Sequence, residues 1–338
     1  MKPKKKFYLL IAGIILFAFI YSLYVQTQNS DNEKEYLQIV ALNYRNGMDE
    51  KDGINVCLYE YSIEEKEINK IAEIPAHPTY AAAYYNKKRN AVYYSDDPYD
   101  KGYDNLYKYD LKTKKTVQVT FGKYEFNDIF VVDDKMYLTV APRYSTVTKL
   151  AKFDMDTYTF DYLKPYDNDT WYTSLAYHDQ TKRLLSIVYS DAKMRTYEVV
   201  AETHIRSKGI ILMDMDFKHK TPVFQTQDFE IYQVRQLDGT HILVTYDETM
   251  NSPEPRRLKI LDITTNDVSD YTISGITEVY SFYPNNDGTG IFLLGQNDEG
   301  IFTLYYYDIA SKVLETVLTK NDLSASHRNI VDFVYSVY

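Results

Sequence analysis

The residues LYKYDLKTKKTVQVT, at positions 106–120, decide the fold of this chain. An aromatic-rich strand runs into Asp110, a short polar turn follows, and a second strand ends in Thr120. The strand with its acidic or hydroxyl end occurs six times, at periods of 44 to 60 residues. The copies are LYEYSI (58–63), LYKYDL (106–111), LAKFDM (150–155), ILMDM (211–215), LKILDI (258–263) and LYYYDI (304–309).

Each copy lies between other β-rich runs, and a further strand opens each unit after the first. These opening strands are YAAAYY (80–85), FNDIFVV (126–132), YTSLAY (172–177), IYQVRQL (231–237) and VYSFY (279–283). Four strands per unit at this period are typical of a β-propeller.

The two ends of the repeat region complement each other. The first unit lacks its opening strand, whereas NIVDFVYSVY (329–338) is a strand without a unit. If this last strand fills the first position, the sequence predicts an all-β fold, a six-bladed β-propeller over residues 37–338, closed by its N- and C-terminal strands. Two stacked sandwiches would leave the even repeat unexplained. No helix is predicted in this range, because no segment has sustained helical periodicity with caps.

The N-terminus predicts a membrane anchor. Residues 1–6 form a basic tail with four lysines, and residues 7–25 (FYLLIAGIILFAFIYSLYV) are uncharged and apolar. Nineteen residues span about 28 Å as a helix, close to the thickness of a bilayer core. Bulky residues stand where a cleaved signal peptide would have its small-residue site, so an uncleaved anchor is favoured over such a peptide. The lysines place the N-terminus in the cytoplasm and the propeller outside it, after a polar stalk at residues 26–36.

Composition excludes several classes of function. Among 338 residues, 38 Lys and Arg face 48 Asp and Glu, which gives a net charge of -10 and argues against nucleic-acid binding. The single cysteine, Cys57, excludes an internal disulfide and a multi-cysteine metal site. The 36 tyrosines suit strands that pack blade against blade, and this interpretation is favoured over a sugar-binding surface.

The strand, turn and strand of residues 106–120 resemble the repeat of the TolB-like, or WD40-like PD40, propellers. QLDGTHILVTY (236–246) and YPNNDGTGIFLLG (283–295) are similar to the other element of that family, an Asp-Gly turn that leads into an apolar strand. Lys114 replaces the glycine usual in the turn. The resemblance implies a docking or small-ligand platform in the bacterial envelope, which is an analogy at the level of the fold.

The order of strands divides the loops between two faces. The first-to-second and third-to-fourth connections are short and share one face, here called the short-turn face. The other connections, such as 44–55, 95–105 and 190–209, are long and share the opposite face, here called the long-loop face. Long insertions in repeat proteins often mark the binding face. The candidate partner-binding residues there are His77, Tyr80, Asp96, Asp97, Tyr99, Asp100, Tyr124, Trp171, Tyr172 and Glu248.

Signatures of catalysis are missing from the sequence. It contains no Gly-x-Ser-x-Gly, His-Glu-x-x-His or phosphate-binding glycine loop, so no catalytic, cofactor or metal residue is assigned. Asp154 and Asp156, like Asp214 and Asp216, are interpreted as turn caps rather than calcium ligands. The sequence thus favours a monomeric, membrane-anchored propeller that docks another envelope protein. The alternative is a metal-dependent enzyme or a small-ligand or carbohydrate binder with its site at the central channel.

Overall fold

The computed structural model describes residues 34–338, apart from 45–52, 77–80, 100, 123, 143–144, 146, 201–206, 250–251, 253, 298, 320 and 324–327. The described strands form six four-stranded antiparallel sheets, which are the blades of a propeller. The predicted fold of the repeat region is therefore confirmed. Among the described residues, no helix is long and apolar enough to cross a membrane. The predicted basic tail and anchor, residues 1–25, lie outside the described residues.

Each blade takes its strands in chain order from the channel outward, and only blade 1 draws on both ends of the chain. Blade 1 contains β24 (Arg328–Val337), β1 (Glu35–Tyr44), β2 (Ile54–Ser62) and β3 (Glu67–Ala76). Blade 2 contains β4 (Ala83–Asn86), β5 (Ala91–Asp96), β6 (Asn105–Asp110) and β7 (Lys115–Gln118). Blade 3 contains β8 (Phe126–Val132), β9 (Lys135–Val140), β10 (Lys149–Asp154) and β11 (Thr159–Tyr162).

The second half of the ring repeats this plan. Blade 4 contains β12 (Thr170–His178), β13 (Arg183–Ser190), β14 (Lys208–Met213) and β15 (Thr221–Thr226). Blade 5 contains β16 (Glu230–Gln236), β17 (His241–Asp247), β18 (Arg257–Asp262) and β19 (Val268–Tyr271). Blade 6 contains β20 (Glu278–Pro284), β21 (Gly290–Gln296), β22 (Phe302–Asp308) and β23 (Val313–Thr319).

The ring closes through the two terminal strands, as the sequence predicts. In blade 1, β24 pairs with β1 in a register that sets Leu37 opposite Tyr335 and Val40 opposite Asp332. Strand β1 begins two residues before the predicted start. Lys34 continues the pairing, since its backbone N–H donates to the Tyr338 carbonyl (2.8 Å). Because β1 starts where β24 ends, the chain enters the propeller at the short-turn face.

One prediction about secondary structure is wrong. The connection between β13 and β14 contains a helix, α1 (Asp191–Val200), on the long-loop face. Ser190 caps it by accepting the Lys193 N–H (3.1 Å), and Asp169 accepts the Ala192 N–H (2.7 Å). The segment DAKMRTYEVV has no clear apolar stripe, so capping rather than periodicity is the signal that marks this helix.

The aspartates that end the repeated strands are turn caps, which confirms this interpretation for Asp154 and Asp214, whereas Asp156 pairs with Arg89 (2.6 Å) and Asp216 with Lys152 (3.2 Å). Asp110 Oδ1 accepts the Thr113 N–H (2.6 Å), and Asp154 Oδ1 accepts the Thr157 N–H (2.8 Å). Asp214 accepts the backbone N–H groups of Asp216 and Lys218 in the same way. These bonds satisfy backbone donors at the short-turn face, so its turns stay tight.

Buried tyrosines fill the spaces between neighbouring sheets. Tyr93 and Tyr137 lie in one apolar cluster that joins blades 2, 3 and 4, and Tyr246 lies in the cluster between blades 4 and 5. Cys57 is a buried free thiol within the cluster between blades 6 and 1. The core is therefore a ring of sheet-to-sheet contacts, which leaves the channel and the two faces available for function.

Candidate functional site

Exposed aromatic rings are concentrated at the long-loop face. Tyr99 in blade 2 is 72% exposed, Phe121 after β7 is 81% exposed, and Tyr166 after β11 is 94% exposed. Tyr280 and Phe302 in blade 6 are also exposed at this face. Of the described aromatic side chains that are exposed, only Tyr158 lies at the short-turn face. Aromatic rings exposed on the same face make that face the candidate interaction surface, most clearly where Tyr280 and Phe302 meet.

Part of this surface is a ribbon in which aromatic rings alternate with cations. Lys208 Nζ lies 4.9 Å from the ring centre of Tyr232, and the guanidinium of Arg256 lies 4.1 Å from the same ring. Arg256 also reaches the ring of Tyr280 at 5.9 Å, and Tyr280 meets Phe302 edge-on with ring centres 5.8 Å apart. We call these five side chains the aromatic ribbon. It crosses blades 4, 5 and 6 and exposes its rings at the blade 6 end.

A buried ion pair fixes the inner end of the ribbon, at Lys208. Lys208 Nζ lies 2.8 Å from Glu230 Oε2, both side chains are almost fully buried, and Lys208 also donates to the Ile231 carbonyl (2.5 Å). The pair joins β14 of blade 4 to β16 of blade 5. Breaking such a pair would leave one charge buried without a partner. The ion pair therefore fixes the relative position of these two blades.

The bulges in the innermost strands bring the ribbon tyrosines to the surface. The register of β16 shifts between Ile231 and Gln233, and that of β20 shifts between Val279 and Ser281. The extra residue is Tyr232 in one strand and Tyr280 in the other. A bulge turns one side chain out of the alternation, so both rings leave the blade and face the loops. The sequence analysis missed them, although the shared triplets Glu-Ile-Tyr (230–232) and Glu-Val-Tyr (278–280) repeat at the start of each strand.

Some of the predicted binding residues serve their own loops. Asp97 is buried, and its Oδ2 accepts the backbone N–H groups of Gly102 (2.7 Å) and Tyr103 (3.2 Å). Asp96 is buried as well. Tyr172 is buried in the core, where burial raises its pKa to about 12. His77, Tyr80 and Asp100 lie outside the described residues.

The other predicted residues lie on the long-loop face. Lys101 Nζ lies 4.6 Å above the exposed ring of Tyr99. Trp171 is half-buried, stacks on a buried tyrosine ring and donates from Nε1 to Asp191 Oδ1 (3.3 Å) at the start of α1. Tyr124 is half-buried against two phenylalanines, and Glu248 is exposed and accepts from Arg257 (2.8 Å). Their role in binding stays a prediction.

The central channel opens into a cavity of about 380 Å³ at the short-turn face. All six innermost strands line it, from Tyr84 on β4 to Tyr338 after β24. Its rim carries paired charges, since Lys88 binds Asp134 (2.9 Å) and Lys182 binds Asp179 (2.5 Å). A cavity of this size, with aromatic walls and a few polar groups, is typical of small-ligand sites.

Hydrogen bonds between neighbouring innermost strands hold the channel wall together. Asp128 on β8 accepts the Leu175 N–H of β12 (3.2 Å), and Ser174 on β12 accepts the Val234 N–H of β16 (3.2 Å). On the opposite side, Ser281 on β20 donates to Asp332 on β24 (3.0 Å). These bonds join β8 to β12, β12 to β16 and β20 to β24 around the channel.

Arg235 continues this chain of contacts at the wall of the cavity. It donates from Nη1 to Ser174 (3.2 Å) and from Nη2 to the Tyr283 hydroxyl (2.8 Å), and its guanidinium lies 4.2 Å from the Tyr283 ring centre. The residue is 4% exposed, and its Nε has no hydrogen-bond partner among the residues that the structure describes.

Two carboxyl groups line the narrower channel beneath this cavity. Burial raises the pKa of Asp128, against the opposing effects of Arg235 and of a hydrogen bond from Thr139. Burial likewise raises the pKa of Asp332 to about 6, although Ser281 donates to it. Both carboxyl groups therefore lose charge more readily than an exposed aspartate does. Among the described residues, no group of three or more His, Cys, Asp or Glu is placed to hold a metal ion.

Comparison with known proteins identifies the fold. No protein-family model matches the chain, and no curated protein matches it in sequence. Its structure is similar to that of TolB from Acinetobacter baumannii, with a TM-score of 0.51 and 16% sequence identity over 83% of this chain. The match spans 63% of the length of that TolB chain. The resemblance to TolB-like propellers is thus confirmed for the fold.

Other similar structures show how widely this fold is used. A putative TolB from Agrobacterium tumefaciens has a TM-score of 0.53 at 10% identity, over 85% of this chain and 89% of that one. A chain of a nidogen/laminin complex has the same TM-score and identity, over 85% of this chain and 95% of that one. Because all these identities are low, they describe an architecture and assign no activity.

Proposed function

We propose that this chain is a membrane-anchored, extracytoplasmic protein-interaction module of the bacterial envelope, which docks a partner protein on its long-loop face. The concentration of exposed aromatic rings at that face carries the proposal. Tyrosine, tryptophan and arginine are the residues that contribute most to protein interfaces, and the aromatic ribbon with Trp171 supplies all three. A TolB-like propeller is consistent with a protein-interaction role.

The place where the chain enters the propeller supports this choice of face. Strand β1 begins at the short-turn face, so a predicted anchor at residues 7–25 and a stalk that follows it would attach there. The long-loop face then points away from the membrane and is open to a partner. The partner we expect is an envelope protein with an apolar surface patch beside carboxylates, because the Arg256 guanidinium lies 5.9 Å from the centre of the exposed Tyr280 ring of blade 6.

Site-specific photo-crosslinking in living cells tests the proposal. A photoreactive residue is placed at position 99, 166 or 280 on the long-loop face, and at Tyr158 on the short-turn face as the control. We expect the same protein to be captured from all three long-loop positions and not from position 158. Capture of that protein from position 158 alone, by chains shown to be folded, would overturn the choice of face.

A pair of double variants then tests the ribbon. The variant Tyr280→Ser with Phe302→Ser removes two exposed rings, and Val117→Ser with Val313→Ser removes two exposed apolar groups from outer strands. We expect the first variant to lose the crosslinked partner and the second to retain it. Equal retention by both variants would exclude the ribbon from the interface.

A further inference from the structure

We infer that the central cavity is a second binding site, separate from the docking face, and that it binds a small molecule bearing one carboxylate. The inference begins with Arg235, which is almost fully buried in the cavity wall. All its described hydrogen-bond acceptors are neutral: the Ser174 hydroxyl, the Val234 carbonyl and the Tyr283 hydroxyl. Burying a cation among neutral acceptors is costly, and an anion bound beside it would offset that cost.

The carboxylates of the channel do not take this place. No carboxylate oxygen of the described residues lies within the 4.0 Å ion-pair distance of Arg235. Asp128 and Asp332 act on it only through longer-range electrostatics, from the narrow channel on the other side of Tyr283. The three lysines that line the cavity, Lys87, Lys88 and Lys182, already have carboxylate partners. Arg235 is therefore the cation in this wall that a bound carboxylate would neutralise.

The rest of the wall defines the body of the ligand. Tyrosine rings from β20 and β24 and the apolar side chains of Val131, Val132 and Val334 surround the cavity. His178 is buried, and burial lowers its pKa, so it lines the wall as a neutral imidazole. Across the mouth, Gln180 of blade 4 donates to the Asn286 carbonyl of blade 6 (2.7 Å) and narrows the entrance. These features suit a compact, otherwise neutral ligand with hydroxyl groups, of the size of a sugar acid.

The test compares matched ligands that differ in one group. D-Glucuronate and D-glucose share a ring and differ in a carboxylate, and N-acetylalanine and its amide form a second such pair. Each is titrated into the full-length chain in detergent micelles, and the melting temperature and heat of binding are recorded. We expect at least one carboxylate to raise the melting temperature, while its neutral counterpart leaves it unchanged. If the folded protein binds neither carboxylate, or binds acid and neutral ligand equally, the inference is wrong.

Three variants locate the site. Arg235→Met removes the charge, Val132→Trp fills the cavity without changing Arg235, and Lys115→Gln on the outer strand β7 is the charge control away from the cavity. We expect the first two variants to bind the carboxylate at least about tenfold more weakly and the third to bind it normally. If Arg235→Met does not fold, carboxylate binding by Val132→Trp alone tests whether the ligand occupies the cavity. Unchanged binding by Val132→Trp would place the ligand elsewhere. Partner capture at the long-loop face should be unaffected by Val132→Trp, so the two proposals can fail independently.

Discussion

The two faces of this propeller are built from the same six blades, yet they use the chain in opposite ways. At the short-turn face, repeated aspartates such as Asp110 and Asp262 bind the N–H groups of the next few residues and keep each turn tight. At the long-loop face, the connections vary in length, one contains α1, and rings such as Tyr166 extend into solvent. The comparison teaches that the repeat is kept where blades need identical turns and is abandoned where a surface is free to specialise.

The channel wall is the scaffold that both faces share, so a substitution there should cause the largest loss of stability. Phe333 on β24 is fully buried and packs edge-on against Tyr283, with ring centres 5.3 Å apart. We expect Phe333→Ala to lower the free energy of unfolding by about 3–5 kcal/mol, because it leaves a cavity beside the strand that closes the ring of blades. Urea unfolding of the full-length chain in detergent measures it. The control Val117→Ala, on an outer strand, should cost less than about 0.5 kcal/mol, and equal losses would contradict the central role of β24.

The next effect is a dependence of stability on pH. The pKa of Asp332 is about 6 in the folded chain, above the value of about 3.9 expected when the chain is unfolded. The folded state therefore holds a proton that the unfolded state has lost, and the stability from this group declines as the pH rises from about 4 through 6. We expect Asp332→Asn to add about 1–3 kcal/mol at pH 8 and almost nothing at pH 4. The free energy of unfolding of the wild type and of Asp332→Asn is measured from pH 4 to pH 8. A difference between the two proteins that does not change with pH would contradict the assignment.

A smaller effect is expected in the long loop of blade 2. Asp97→Ala removes the acceptor for Gly102 and Tyr103 and should cost about 1–2 kcal/mol, because two backbone donors lose their partner. Asp97→Asn keeps one acceptor oxygen and should cost less. The melting temperatures of both variants show which substitution destabilises the chain more. If neither variant changes the melting temperature, the buried carboxylate does not organise this loop.

The smallest effect on stability should come from the ribbon rings that are proposed to have the largest effect on binding. Tyr280 and Phe302 are exposed and meet each other edge-on. We expect the double serine variant to change the free energy of unfolding by less than about 1 kcal/mol. The same urea titration measures it, and a loss of several kcal/mol would mean that these rings support the fold rather than a surface.

The fold could be predicted from the sequence because its determinants are local and repeated. The strand that ends in Asp110 recurs in every blade, and the spare strand at 329–338 predicts the closure seen between β24 and β1. The helix α1 was missed because its signal is the cap at Ser190 rather than an apolar stripe. The triplets that contain Tyr232 and Tyr280 were visible, but nothing in them shows that a bulge turns both rings outward.

The candidate sites were only partly predictable, because they join residues that are far apart in the chain. Arg256 of blade 5 contacts Tyr280 of blade 6, and Arg235 donates to Ser174, which lies 61 residues earlier in the chain. Loop length predicted a long-loop face, and the exposed Tyr99 lies on it. Loop length could not distinguish Tyr99, which is exposed, from Tyr172, which is buried. Burial of single side chains depends on how blades pack, and a list of loops does not contain that information.

The most direct test of the account is to titrate the partner identified by crosslinking against three purified full-length chains. These are the wild type, the variant Tyr280→Ser with Phe302→Ser, and the variant Tyr158→Ser from the opposite face. The account predicts that the ribbon variant binds at least about tenfold more weakly than the wild type, while the Tyr158 variant stays within about twofold. Unchanged binding by the ribbon variant, or a loss confined to the Tyr158 variant, would contradict it.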